Sequence, residues 1–253
     1  MTAVGAEVAC SGGRQLPDVL TPVPLEEFLV CVHAVWLHRL RASPPPLHAV
    51  EIVAAQWAIE TGWGQKCHCY NVGNAKGRVG GVYDWTFFKC GEELARATAR
   101  AEARRDGRVV IQREYVLGGR DYASVVVLPE HPWCCFRAFE SLVDGVADHL
   151  QLLHRRFGDA FTAAVAGDAR AFCSCLKRAG YYTASVEQYT RGLTGCLPRV
   201  REAASRIDWA ECPCLTEGQI RRVEGILALS GELGEDEWAE MVGERDRAVG
   251  ESS

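Results

Sequence analysis

Apolar residues recur at helical spacing along most of the chain, and alternation suited to strands is confined to a stretch near the middle. An apolar run over 25–41, entered through Pro22 and Pro24, predicts a helix. Glu26, Glu27, His33 and His38 mark it as an amphipathic or buried helix, since a membrane span needs roughly 20 apolar residues. The segment Ser43-Pro44-Pro45-Pro46 breaks it. A second helix is predicted over 47–60, where Val50, Val53, Ala54 and Trp57 follow helical spacing and Gly62 and Gly64 supply the stop. Residues 71–74 and 77–81 read as loop, and the charged, Ala-rich stretch 92–105 reads as helix. Two β-branched and aromatic runs, 109–116 and 122–128, flank Gly118-Gly119 and predict a hairpin.

Helical patterning returns at Ser141, a candidate N-cap with Asp144 three residues on, ahead of the stripe Leu142, Val146, Leu150 and Leu153. Further helices are expected over 159–166, 169–178 and 186–205, with Asp168 and Ser185 as caps of the last two. Ile220, Val223, Ile226 and Leu227 form one face of a tail helix after Thr216, and a short helix is expected near 235–247. Helices before and after a small hairpin imply an α+β, mainly α fold with a small β lobe and a helical C-terminal extension. The organisation expected is a flexible N-terminus (1–20), one main domain (21–206) and the extension (207–253), which either packs back or offers its helices to a protein partner.

Charge and cysteine usage narrow the class. The 253 residues carry 28 basic and 33 acidic side chains, net −5, which argues against a broad nucleic-acid surface. No run is long enough to span a membrane, and the first 20 residues show no secretory signal. Twelve cysteines permit disulfides, but a chain of this length does not need them, and mostly reduced thiols are expected. The pairs Cys67/Cys69, Cys173/Cys175 and Cys212/Cys214 are spaced more narrowly than structural zinc ligands, so they read as small buried hydrophobes, with no metal or cofactor expected.

The chemistry concentrates in Ala55-Gln56-Trp57-Ala58-Ile59-Glu60-Thr61-Gly62-Trp63-Gly64-Gln65. Glu60 falls at the C-terminal end of a largely apolar helix, where the helix dipole disfavours a second negative charge. Trp57 and Trp63 flank it and would exclude water. Both effects raise a carboxyl pKa, as a general acid working near neutral pH requires. The residues alone leave a second reading open, a solvated helix-terminal glutamate beside packing tryptophans.

The segment Ala55–Gly64 resembles the signature of glycoside hydrolase family 73, the endo-β-N-acetylglucosaminidases that include autolysins, phage wall lysins and flagellar peptidoglycan hydrolases. Three further segments match in order: Tyr70-Asn71-Val72-Gly73-Asn74-Ala75-Lys76, then Phe136-Arg137-Ala138-Phe139-Glu140-Ser141-Leu142 with its helix, then Gly180-Tyr181-Tyr182-Thr183 with Tyr189 beyond. Together they span about 48–200, most of the globular part. The resemblance implies a lysozyme-like fold with a groove between a helical lobe and a β lobe, peptidoglycan glycan strands as substrate, and action at the cell wall. It implies Glu60 as proton donor to the leaving oxygen and Tyr181 across the groove, supporting the sugar or the oxocarbenium-like charge. Asn71 and Asn74 would order the adjacent loop or bond an acetamido group. Trp63 is a candidate sugar-stacking floor, and Tyr182 and Tyr189 complete the expected substrate-binding set.

A second carboxylate is harder to place. Relatives often carry a β-lobe glutamate in a Thr-x-Glu context, which is missing here; Glu92 is first in order, followed by Glu93 and Glu114. An acetamido substrate can also supply its own nucleophile, which leaves the stereochemistry open. Arg96, Arg100, Arg104, Arg105 and Arg108 form either a solvated basic face or an attractor for anionic wall polymers. The same fold hosts lytic transglycosylases and muramidases, and a non-catalytic glycan-binding role is the third reading.

Overall fold

The computed structural model describes residues 13–40, 44–182 and 184–232. Residues 1–12, Thr183 and the short helix expected near 235–247 lie outside them. The architecture is α+β and mainly helical, with a small antiparallel β lobe.

Helix α1 (Leu25–Leu40) starts where Pro24 accepts the Phe28 amide, with Glu26 and Glu27 in its first turn to meet the dipole. Helix α2 (Leu47–Thr61) is buried on nearly every side, because apolar residues fill more than one stripe. It ends at Gly62, whose φ of 57° admits the left-handed cap and whose N–H donates to the Ala58 carbonyl. The Thr61 hydroxyl locks the exit, donating to Trp57 O at 2.7 Å and accepting from Gly64 N at 2.9 Å.

Helix α3 (Arg96–Arg105) belongs to the β lobe. Helices α4 (Leu142–Arg156), α5 (Gly158–Val165), α6 (Ala169–Arg178) and α7 (Val186–Ser205) follow, with Ser141, Asp168 and Ser185 capping α4, α6 and α7 as expected. Helix α7 packs on α2, and α4 packs on α1, placing α2 at the centre of one apolar core.

Strand β1 (Trp85–Phe87) pairs with β5 (Cys135–Arg137), while β2 (Cys90–Ala95), β4 (Arg120–Val127) and β3 (Val109–Leu117) form a separate sheet in the order β2-β4-β3. The turn at Gly118-Gly119 joins β3 to β4 as the pattern predicted. That sheet and α3 enclose a second small core around Ala99, Val109, Ala123, Val125 and Val127.

Three differences from the sequence expectation stand out. Residues 92–95 are strand, not helix, because they pair with β4 from Glu92↔Val125 to Ala95↔Tyr122, and this pairing outweighs local helix propensity. Of the segment expected to be flexible, residues 13–20 run along the β lobe, with Leu16 N donating to Trp85 O at 2.8 Å and Arg14 bonded to Asp84. Helix α8 (Glu217–Glu232) packs on α4, burying Val223 in the main core, with Ile226 and Leu227 against it. Of the two readings left open for the extension, packing back on the domain is the one this helix follows. No helix among the described residues is long and apolar enough to cross a membrane, and the eleven described cysteines are free thiols.

Candidate active site

A cavity of about 460 Å³ opens between the helical body and the β lobe. Glu60 and Tyr181 line it from the helical side, Asn74 and Lys76 from the connecting loop, and Glu92 and Arg137 from the β side. Two carboxyl groups from different lobes thus face one cleft.

Glu60 sits in the last turn of α2, half-buried. Burial pushes its pKa up, opposed only in part by a hydrogen bond that the Tyr189 hydroxyl donates to Glu60 Oε1 at 2.9 Å. Tyr189 comes from the first turn of α7 and stacks face to face on Tyr182, with ring centroids 3.8 Å apart. Tyr182 is anchored in turn through its hydroxyl to the Cys173 carbonyl at 2.8 Å. Burial first and the Glu60 charge second hold the Tyr181 and Tyr189 phenols well above their usual pKa, so both remain donors.

The two expected tryptophans do other work. Trp57 is fully buried and stacks on Phe28 at 4.4 Å inside the core. Trp63 packs against the main core, carries the Arg199 guanidinium on its ring at 4.1 Å, and does not line the cleft. The apolar surroundings of Glu60 come from tyrosines of the C-terminal segment, brought in over more than a hundred positions of chain, as the 129-residue separation of Tyr189 from Glu60 shows.

The Asn71–Asn74 loop divides its labour. Asn71 is buried, and its amide bonds through both ends: Nδ2 donates to Ala75 O (2.8 Å) and Arg137 O (2.9 Å), and Oδ1 accepts from Ala75 N (2.8 Å). It orders the loop, with both amide hydrogens used inside it. Asn74, at φ 49°, donates from Nδ2 to the Glu60 carbonyl at 2.7 Å. That bond satisfies one of the orphan carbonyls at the end of α2 and ties the loop to the helix end that carries Glu60. Between them, Gly73 lies so close over His149 that a Cβ there would meet Nδ1 at 2.4 Å, and its carbonyl accepts from the Tyr181 hydroxyl at 3.2 Å. His149 is buried with no hydrogen bond to either ring nitrogen, and burial lowers its pKa to about 4, so it is neutral.

On the β side, Glu92 is held by Lys76, whose Nζ lies 3.4 Å from Oε1, donates to Trp133 O at 2.6 Å and sits 4.0 Å from the centre of the Phe136 ring. Glu114 is drawn away into a two-pronged bond with Arg100, 2.7 Å at each oxygen. Glu93 is exposed and does not line the cleft. Arg137 forms a buried ion pair with Asp148 at 2.6 Å and stacks over Tyr83, joining β5 to α4. Arg96 pairs with Asp121 at 2.7 Å, Arg105 with Glu102 at 2.6 Å and Arg108 with Asp106 at 2.7 Å, so most of the basic cluster is neutralised inside the lobe. Two lysines at the cleft, Lys66 and Lys89, are exposed.

Sequence reasoning assigned no role to Lys76, Arg137, Asp148 or His149. Each lies inside the span the family resemblance covers; Arg137 and Asp148 stand 11 positions apart, and Lys76 and Glu92 stand 16 apart. A family model described as Glucosaminidase, mannosyl-glycoprotein endo-beta-N-acetylglucosaminidase, matches residues 47–202. Neither the curated proteins nor the solved structures yielded a match.

Proposed function

The chain belongs to this glucosaminidase family, and from that premise we propose that Glu60 is the general acid of a peptidoglycan-cleaving endo-β-N-acetylglucosaminidase with a lysozyme-like cleft. The protein is a glycoside hydrolase acting on N-acetylglucosamine-containing glycans of the cell wall. The observation that carries the assignment of Glu60 is its place in the cleft with a pKa raised by burial. A carboxyl kept protonated near neutral pH can give its proton to the glycosidic oxygen as the bond breaks.

The two cleft carboxyl groups have contrasting surroundings, the arrangement by which one fold separates acid from base. Glu60 stands among phenols, and Glu92 is oriented by the Lys76 ammonium. We assign Glu92 the second role, activating water or stabilising the cationic sugar. Tyr181, fixed by its bond to Gly73 O, keeps oxygen lone pairs to offer to the oxocarbenium-like centre. Asn74 acts through the acid, holding the end of α2, while Tyr182 and Tyr189 position the acid and do not grip the sugar. Lys66 and Lys89 make the cleft mouth cationic in a chain of net charge −5, which favours strands bearing carboxylates.

The test is digestion of purified wall with mass analysis of the fragments. The wild type is expected to release new reducing-end N-acetylglucosamine, and Glu60→Gln to lose about 10²–10⁴-fold of the rate without loss of fold. Anhydro-muramic ends would replace the hydrolase by a transglycosylase, and an active Glu60→Gln would remove Glu60 from the chemistry. Glu92→Gln at near wild-type rate would transfer the second role to the substrate's acetamido group.

A further inference from the structure

Two cysteines that the mechanism does not use meet at the root of the β lobe. Cys90 opens β2 and lines the cleft, and Cys134 closes the short 3-10 turn Pro132–Cys134 ahead of β5. Their sulfurs lie 3.5 Å apart, sharing a hydrogen bond in which either can donate. The backbone already holds both ends in place: Cys90 pairs with Val127 across β2 and β4, Phe88 N donates to Cys134 O at 3.2 Å, and the Cys134 thiol donates to Val127 O at 3.1 Å. They stand 44 positions apart, and the chain from one to the other contains the three-stranded sheet and α3.

We propose that Cys90 and Cys134 are the site of a disulfide cross-link, made by exchange with a small-molecule disulfide, that staples the β lobe at its base. Closing the bond needs the sulfurs to approach to about 2.05 Å, a movement within reach of side-chain rotation when the two backbones are already neighbours. Cys90 is half-buried beside the cleft and is the sulfur a small oxidant can reach; Cys134 is fully buried. The Cys90 thiol loses its proton to solvent and attacks one sulfur of R–S–S–R, forming a mixed disulfide and releasing one RS⁻. Cys134, as thiolate, attacks the Cys90 sulfur and expels the second RS⁻. Two protein thiols are oxidised and one R–S–S–R is reduced to two thiols. The Lys76 ammonium nearby favours the thiolate of each cysteine in its turn. The link would also tie the strand carrying Glu92 to the turn that leads into β5 and Arg137.

The experiment incubates the reduced full chain with oxidised glutathione at mildly alkaline pH and maps tryptic peptides without reduction. The expected product joins peptide 90–96 to peptide 121–137, and fragment spectra broken between Cys134 and Cys135 place the link on Cys134 in the wild type, whether or not any variant folds. The melting temperature should rise by about 5 °C or more, because cross-linking a loop of this length restricts the unfolded chain, and dithiothreitol should reverse it. Cys135→Ser should keep the link and the shift, and Cys134→Ser should lose both. A lone glutathione adduct on Cys90, a link to Cys135, or a linked protein with an unchanged melting temperature would overturn the proposal.

Discussion

The helical body and the β lobe meet at one cleft but are held together by different physics. The body has a single continuous apolar core around α2, and Glu60 stands at the end of that most buried helix. The lobe has a small core of its own and a shell of arginine–carboxylate pairs, with Glu92 on a strand of its sheet. A cleft built this way can hold one carboxyl group in an apolar wall and the other beside an ammonium. Its geometry then depends on the few bonds that cross between the parts: Arg137 with Asp148, and the loop bonds of Asn71 and Asn74.

The largest test of that contrast is to cut a crossing bond. Arg137→Ala leaves Asp148 buried without its partner and should destabilise the protein by about 3–5 kcal/mol in denaturant unfolding. A loss near zero would mean that the lobes are held by packing alone. Next is the buried histidine under the connecting loop. The pKa of His149 is about 4 in the folded chain against a reference value of 6.5. The unfolded chain therefore takes up the proton first, and the stability from keeping this ring neutral is present above pH about 6.5 and lost as pH falls toward 4. The slope should amount to about 3 kcal/mol across that window and should vanish in His149→Phe; a wild type with no such slope would contradict a neutral buried ring. The smallest effect belongs to the lobe's outer shell. Arg100→Ala removes the pair with Glu114 but should leave the unfolding midpoint unchanged within error, since exposed pairs are weakened by solvent and salt. A clear loss there would show that surface charge holds the lobe together.

The same contrast explains what was legible in the sequence. The body's helices follow from 3.6-residue spacing and from caps with local chemistry, as Gly62, Ser141, Asp168 and Ser185 illustrate. Glu60 stands out in the sequence because its helix, its terminal position and its motif are contiguous. The surroundings of Glu60 do not, since Trp57 and Trp63 are near in sequence but turned into other packing, while Tyr189 arrives from another helix. Glu92–Ala95 was misread because a strand on one side of a small sheet takes its identity from its partner, here β4. The role of Asn71 depended on carbonyls at Ala75 and Arg137, whose directions no side-chain pattern records.

Glu60 can serve as a general acid only while its carboxyl group holds its proton. A carbon-13 NMR titration of the glutamate side chains, with Glu60 assigned by its disappearance in Glu60→Gln, reads it directly. Glu60 should titrate clearly above the ordinary glutamate range, and higher still in Tyr189→Phe, where the bond favouring the carboxylate is gone. A Glu60 that titrates at or below an ordinary glutamate, or falls when the Tyr189 hydroxyl is removed, would contradict the proposed acid.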